Sequence, residues 1–204
     1  PENPAIAGTS PACAARPRSA RLGREGNILS RIFVVGTADT KGEELAFLAA
    51  RIRALGAEPI IVDVGTRAST ITPDITIADA AIRAGTDRGT AVAAMGEAFA
   101  QFLASRSDFD AILGIGGGGG TSIITAGMRG LPIGLPKLMV STLAAGDVSA
   151  FVGVSDIVMM SSVTDLAGLN RISRVVLANA AAAIVGMSHH APVAADAKPA
   201  IGLT

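Results

Sequence analysis

Five consecutive glycines form the segment of this sequence with the most specific chemical potential. They are Gly116, Gly117, Gly118, Gly119 and Gly120. The segment follows a short apolar run and opens a predicted helix, so its backbone N–H groups can surround an anion, and the helix start adds favourable partial charge. Thr121 and Ser122 come next and can donate hydroxyl hydrogen bonds to phosphate or carboxylate oxygens. The pattern therefore predicts an anion-binding site.

The glycine segment matches neither of two common phosphate motifs. No Gly-Lys-Ser/Thr closes it, as a P-loop requires, and its contiguous glycines differ from the spaced glycines of a dinucleotide fingerprint. The structural alternative is a flexible turn. Nine of the 24 glycines lie between Gly114 and Gly134, and each costs roughly 0.5–1 kcal/mol relative to Ala when ordered in regular structure. That cost favours anion binding over a purely structural role.

A second candidate segment, at residues 36–42, follows the first predicted strand. Lys41 can neutralise a phosphate, and Asp39 can bind a magnesium ion or a ribose hydroxyl, because hard cations prefer carboxylate oxygen. Thr37 and Thr40 supply further hydroxyl groups. Thr40 also fits a capping box with Glu43, which would satisfy free amides at a helix start. The capping role explains Thr40 fully, whereas Asp39 and Lys41 remain open between ligand binding and structure.

A third candidate segment, at residues 141–147, follows another predicted strand. Ser141 and Thr142 offer hydroxyl donors, Gly146 leaves the backbone accessible, and Asp147 offers a carboxylate as a second candidate magnesium ligand. The structural alternative is a helix cap formed by Ser141 or Thr142. Its position at a strand end, like the other two segments, favours a shared site.

The apolar pattern alternates between predicted strands and helices. Strands are predicted at 31–36, 59–64, 111–115, 137–141 and 156–160, and helices near 40–55, 77–83, 90–106, 121–128 and 168–187. Nearly continuous apolar strands separated by helices indicate an α/β fold with a doubly wound, open parallel sheet, a Rossmann-like three-layer αβα lobe. In such sheets, ligands bind outside the carboxyl ends of the strands where the strand order reverses. The three candidate segments are expected there.

The chain divides into three predicted parts. Residues 1–30 are rich in Pro and Arg, lack an apolar period, and are interpreted as a disordered extension. Residues 31–187 form the lobe. Residues 188–204 are interpreted as a linker and the first strand of a second lobe that is missing from this chain. The hypothesis is therefore that the sequence is one lobe of a larger protein.

Composition excludes several classes of protein. The 17 basic and 17 acidic residues balance, and there is no Trp or Tyr, which argues against nucleic acid as a partner. One cysteine, Cys13, cannot form an intramolecular disulfide, so a reducing cytoplasm is the expected compartment. The apolar part of the last predicted helix is 13 residues long, too short for a membrane span. His189 and His190 lack a third ligand for zinc and lie outside the lobe, so no Ser-His-Asp triad forms within it.

Four motifs together resemble one family. They are VVGTADTKGEE (34–44), GIGGGGGT (114–121), PKLMVSTLAAGD (136–147) and DLAGLNRI (165–172). They resemble the ATP-binding domain family of the tomato mosaic virus resistance protein and its bacterial relatives. The resemblance covers residues 31–204. It implies the N-terminal lobe of a two-lobed, Rossmann-like module that binds ATP with magnesium and dimerises, with the phosphate site at Gly116–Thr121 and at Asp39, Thr40 and Lys41.

Three functions follow as expectations. The first is an ATP-binding module, in which the glycine segment and Lys41 hold the phosphates and Asp39 or Asp147 holds magnesium. The second is an enzyme lobe that binds a small anionic metabolite, such as a sugar acid or a phosphorylated carboxylate. The third is a dimerisation lobe with an empty glycine turn. Because Trp and Tyr are absent, adenine is expected to lie between aliphatic side chains.

Overall fold

A computed structural model describes residues 29–77 and 87–189. The predicted extension at 1–30, the helix at 77–83 and the linker and strand at 188–204 lie wholly or almost wholly outside these ranges. The strands are β1 (Arg31–Gly36), β2 (Glu58–Asp63), β3 (Ile75–Thr76), β4 (Ala111–Gly116), β5 (Lys137–Ser141) and β6 (Val158–Ser161). The helices are α1 (Ala38–Ala54), α2 (Arg88–Ala104), α3 (Gly118–Arg129), α4 (Ser149–Val152) and α5 (Arg171–His189).

All six strands pair in parallel, in the order β3-β2-β1-β4-β5-β6. The chain runs outward from β1 through β2 to β3, then returns to the other side of β1 and continues outward from β4. The order therefore reverses between β1 and β4, and the crevice at the carboxyl ends of these two strands is where such sheets bind ligands. The predicted α/β fold with an open, doubly wound parallel sheet is confirmed.

Two apolar layers cover the sheet, one on each face. Successive residues of a strand point to opposite faces, so Ile32 and Val34 of β1 pack with α1 and α5, while Phe33 and Val35 pack with α2 and α3. All four side chains are fully buried. Because both faces are covered, the central strands can be apolar throughout, which is why they read as continuous apolar runs in the sequence.

Several boundaries differ from the prediction. Strand β3 and helix α4 were not predicted, because two and four residues are too few to show a period. Helix α1 begins at Ala38, and the capping box predicted at Thr40 and Glu43 does not form. Thr40 instead contacts Thr37, with the two hydroxyl oxygens 2.8 Å apart. Lys41 has non-helical backbone angles, with φ −127° and ψ 20°, so the start of α1 is kinked.

Helix α5 is the one helix in the described ranges that is long and apolar enough to cross a membrane. A core helix of a soluble protein passes the same test, and α5 contributes Leu177, Ala180, Ala181 and Ile184 to the core shared with α1 and the sheet. Packing within the lobe buries 39% of its apolar window.

Lys137, at the start of β5, is fully buried and fully engaged. Its ammonium donates hydrogen bonds to the carbonyls of Pro132 (2.7 Å) and Leu135 (2.9 Å) and pairs with Asp156 Oδ1 at 2.6 Å. Burial alone raises the pKa of Asp156. The hydrogen bonds from Lys137 and Gly134 N–H and the ammonium charge outweigh burial, so the pKa lies below its ordinary value. The carboxylate therefore stabilises the fold only while it is ionised.

Replacing Asp156 with Asn is expected to lower the free energy of unfolding by about 1.5–3 kcal/mol at pH 7, the range for a hydrogen bond to a charged group. A lowered folded-state pKa adds stability above the unfolded-state pKa, about 3.9, and that stability disappears as the pH falls through the folded-state pKa. Urea unfolding at pH 7 and pH 3 should therefore show a smaller difference at pH 3 than at pH 7. Glu97→Gln, at an exposed position of α2, is the matched control. An equal difference at both pH values would contradict the prediction.

Candidate functional site

The three predicted segments lie at one edge of the sheet. They follow β1, β4 and β5, which are neighbours in the sheet and parallel. Helices α1 and α3 begin at this edge on opposite faces of the sheet, since α1 packs in one core layer and α3 in the other. The crevice between β1 and β4 is therefore bordered by two helix N-termini.

The glycine segment is a tight turn and a helix start, with no extended loop. Gly116 ends β4, Gly117 is the single linking residue, and Gly118, Gly119 and Gly120 form the first turn of α3. The first N–H bonded within the helix is that of Thr121, which donates to Gly117 O at 2.8 Å. The three N–H groups before it, those of Gly118, Gly119 and Gly120, have no acceptor within the described residues. They form the donor set that the sequence predicted for an anion.

Glycine is required for internal reasons at only one position of the turn. A Cβ on Gly116 would lie 3.0 Å from the backbone of Gly120 and Thr121. At Gly117, Gly118, Gly119 and Gly120, the nearest atom to an added Cβ is 3.5–3.8 Å away, which is ordinary van der Waals contact. None of these four has a positive φ. Since Ala in the helix would be about 0.5–1 kcal/mol more favourable than Gly, the missing side chains suit a ligand that approaches the backbone closely.

The start of α3 also differs electrostatically from the other described helix starts. Asp63 accepts from the first N–H of α1, Asp87 caps α2, Asp147 accepts from Ser149 N–H at the start of α4, and Asn170 caps α5. The backbone hydrogen bonds at these caps lower the pKa of Asp87 and of Asp147. Helix α3 has no side-chain cap and no acid in its first turn. Among the described helices, its partial positive charge is the one left for an external anion.

The hydroxyl groups around the glycine turn have different roles. Thr121 and Ser141 are fully buried, and their hydroxyl oxygens lie 2.7 Å apart. They join the start of α3 to the end of β5, so the predicted direct contact of these two groups with a ligand does not suit their positions. Ser122 donates to Gly118 O at 3.1 Å. Thr142 is half-buried, and its Oγ1 is the atom nearest to a Cβ built on Gly117, at 3.7 Å.

Gly146 and Asp147, the other two candidate residues of the third segment, are exposed. Gly146 donates its N–H to Leu143 O at 3.0 Å within the turn after β5. Asp147 accepts a 2.9 Å hydrogen bond from Ser149 N–H, so its carboxylate stabilises α4. A magnesium ion at Asp147 would compete with this cap.

The side chains of the segment after β1 contact the turns that follow β2 and β6. The Lys41 ammonium donates a hydrogen bond to Leu166 O, so the predicted phosphate cation is already engaged. The side chain of Asp39 is 9% exposed, and its Oδ2 lies 3.5 Å from Arg67 Nε. Its Oδ1 is buried and lacks a hydrogen-bond partner, and a Cβ built on Gly65 would lie 2.9 Å from it. Asp39 is thus beside the turn that follows β2.

Sequence reasoning missed Asp63, which organises this side of the edge. Its side chain is fully buried at the end of β2. Oδ1 accepts from Ala38 N–H at 2.9 Å and from Gly65 N–H at 2.7 Å, and Oδ2 accepts from the Ser69 hydroxyl. A carboxylate directly after the apolar run Ile60, Ile61 and Val62 was the signal that could have revealed it.

The four sequence motifs meet in pairs. The segment after β6 reaches α1, where Lys41 contacts Leu166 O and Glu44 Oε1 accepts from Gly168 N–H at 2.8 Å. The Thr121–Ser141 contact joins the other two motifs. Residues far apart in the chain therefore build two adjacent halves of one edge.

The described residues contain no group of three or more His, Cys, Asp or Glu side chains that could hold a metal. Magnesium does not need one, because it commonly binds through one or two carboxylates together with water and substrate phosphates. The unpartnered Oδ1 of Asp39 is a carboxylate oxygen of the type that magnesium prefers. The residues present thus fit a magnesium ion that arrives with a phosphate ligand, and they do not form a complete protein cage.

The comparisons with known proteins place this lobe in a family. Residues 30–192 match the N-terminal domain of the uncharacterised protein family UPF0261. The chain is 61% identical over 185 residues to a UPF0261 protein of Rhizobium meliloti, covering 86% of this chain and 46% of the relative. A Clostridium tetani UPF0261 protein is 40% identical over 188 residues, covering 85% and 46%.

A plant relative shares the same region. The ToMV resistance protein Tm-1 of Solanum lycopersicum is 35% identical over 185 residues, covering 77% of this chain and 24% of the relative. The chain spans about half the length of the bacterial relatives that it matches. The family match covers most of the described lobe, including all three segments at the carboxyl edge. The chain therefore belongs to the UPF0261 family, and residues 30–192 are its N-terminal domain.

Proposed function

We propose that this lobe binds a nucleotide and that the phosphates of Mg-ATP lie at the N-terminus of α3. The observation that carries the proposal is the set of four glycines, Gly117 to Gly120, whose missing side chains the fold itself does not require. Three unbonded N–H groups and an uncapped helix start occupy the same place. It lies at the reversal of strand order, where open parallel sheets bind ligands.

Each neighbouring residue has a proposed role. The N–H groups of Gly118, Gly119 and Gly120 bind phosphate oxygens, and the hydroxyl of Thr142 lies beside them. Magnesium, when bound, would neutralise the negative charge of the phosphates. Asp39 is the preferred protein ligand for it, because Oδ1 of Asp39 lacks a hydrogen-bond partner. Asp147 is the second candidate. Val92 and Leu143 are the nearest side chains to Gly119 and Gly118, so aliphatic groups border the proposed phosphate position.

A small anionic metabolite is the second candidate ligand, and Asp63 favours it. In dinucleotide-binding sheets, an acidic residue near the end of the second strand binds ribose hydroxyls. Here Asp63 occupies that place, but it is fully buried and both of its oxygens accept hydrogen bonds from the protein. Asp63 is therefore not free to bind a ribose. A sugar acid or a phosphorylated carboxylate would need only the helix N-terminus and no ribose site.

A thermal-shift panel tests these candidates. Mg-ATP at about 100 times its Kd should raise the melting temperature by about 5–10 °C, because such an excess stabilises by about 2.7 kcal/mol. Sugar acids and phosphorylated carboxylates, each with and without magnesium, complete the panel. A shift with Mg-ATP alone supports the nucleotide, and a shift with the acids alone supports the metabolite. No shift with any of them would contradict both candidates and favour a dimerisation lobe with an empty glycine turn.

The remaining proposals concern the whole protein. A second lobe, a homodimer and a cytoplasmic location are proposed from the sequence, and the length of the bacterial relatives is consistent with the second lobe. The name of the tomato relative describes resistance to ToMV. That activity is not proposed for this chain. Sedimentation of the purified chain would test the dimer.

A further inference from the structure

Arg67 is an exposed cation on the β1 side of the crevice, whereas the sequence predicted that Lys41 would meet the ligand there. Lys41 follows β1, but its ammonium is held by the carbonyl of Leu166, whose side chain is fully buried. Arg67 follows β2, and its side chain is 78% exposed. An anion that reaches this side of the edge would therefore meet the guanidinium of Arg67 before the ammonium of Lys41.

The turn that carries Arg67 is fixed at one end to the end of β1 and at the other to the start of α1. Val64 N–H donates to Gly36 O at 3.0 Å, while Thr70 donates to Ala38 O from its N–H at 3.0 Å and from its hydroxyl at 2.7 Å. The buried carboxylate of Asp39 then orients the guanidinium through Nε, at 3.5 Å. A guanidinium has five N–H donors, so four remain for a ligand after this pairing.

One strand of the sheet, β1, separates β2, which leads to Arg67, from β4, which leads to the glycine turn. Neighbouring strands are about 4.8 Å apart, so the two strand ends are separated by roughly 10 Å. A single phosphate bound at Gly118–Gly120 would not bridge this distance, whereas a chain of linked phosphates extends along the edge.

We propose that Arg67 is a second anion contact that makes the site selective for polyphosphates over a single phosphate. The inference rests on the proposed function, because it takes the glycine turn as the first contact. Asp39 is the positioning residue for Arg67, and Lys41 has a structural role at Leu166. The ligand class is therefore a nucleoside triphosphate or another anion that carries two charged groups at different points along its own length.

Calorimetric titration of the purified chain without magnesium tests this inference, with tripolyphosphate and inorganic phosphate as probes. Arg67→Ala should weaken tripolyphosphate binding about 10- to 100-fold, as expected for the loss of a charge-assisted contact. It should change phosphate binding less than about two-fold. Arg67→Lys should recover part of the loss, because lysine keeps the charge but loses the forked geometry. Lys41→Met is the matched control and should retain the tripolyphosphate preference.

Three outcomes would overturn the inference. Arg67→Ala could leave tripolyphosphate binding unchanged, or it could weaken both probes equally, and either result would remove its role in selectivity while leaving the glycine site intact. If neither probe binds the unaltered chain, the glycine site itself fails, and the proposed function fails with it. Because Arg67 is exposed, the melting temperature of the variant should match that of the parent, which separates a binding defect from misfolding.

Discussion

Gly118→Val is expected to abolish the thermal shift produced by Mg-ATP without unfolding the protein. A Cβ at this exposed position would lie 3.8 Å from Leu143 Cδ1, so the fold accommodates it. The two methyl groups would instead occupy the space above the free N–H groups of the first turn of α3. Losing two or more charge-assisted hydrogen bonds, at about 1.5–3 kcal/mol each, corresponds to at least a 100-fold loss of affinity.

Gly118→Ala gives a sharper version of the same test, because it separates stability from binding. Alanine is a better helix former than glycine, so the free energy of unfolding should rise by about 0.5–1 kcal/mol while the affinity falls. Gly186→Ala in α5 is the matched control, since no atom lies within 4 Å of its added Cβ. It should raise the stability with no change in binding. A Gly118→Ala variant that binds Mg-ATP like the parent would show that the glycine turn is not the site.

Asp63→Ala should have the largest effect on stability. The substitution removes the acceptor for Ala38 N–H, Gly65 N–H and the Ser69 hydroxyl in a place without solvent access. Each of the two buried N–H groups left without a partner costs about 1–3 kcal/mol, for a total of about 2–6 kcal/mol. A domain has a free energy of unfolding of about 5–15 kcal/mol, so the variant should be close to unfolding at 25 °C.

Asp63→Asn should show an intermediate loss, because its amide oxygen still accepts but its NH2 group opposes a donor. Urea unfolding of both variants would show whether Asp63→Ala loses more stability than Asp63→Asn. The exposed Asp165 provides the control variant Asp165→Ala, which should be within about 0.5 kcal/mol of the parent. If Asp63→Ala unfolds within 1 kcal/mol of the parent, the carboxylate does not organise the start of α1 as described.

Local sequence was sufficient to predict the sheet for a specific reason. Its central strands are buried on both faces, so β1, β4 and β5 are continuous apolar runs that end in Gly or Ser. The predicted and observed bounds of β5 are the same. The shortest elements, β3 and α4, were not predicted because they are too short to show a period of apolar residues. Strand β3 forms through pairing with the end of β2, a contact that local sequence does not encode.

The candidate site was predictable in its position and less so in the roles of its residues. The position of each segment directly after a predicted parallel strand is enough to predict that the glycine turn, Asp39 and Ser141 share one edge. Residue type alone could not show that Lys41 faces Leu166 O or that Thr121 and Ser141 bond to each other. Each of these side chains has a partner 20 or more positions away in the chain.

The sequence by itself determined the fold class, the family resemblance and the location of a backbone suited to an anion. These depend on apolar periodicity and on residues that are adjacent in the chain. Only the tertiary structure decided which polar groups remain available, because a donor or acceptor is available only if no distant partner has engaged it. Asp63 and Lys41 are engaged by such partners. The N–H groups at the start of α3 have no acceptor within the described residues, and the guanidinium of Arg67 remains largely exposed although it pairs with Asp39.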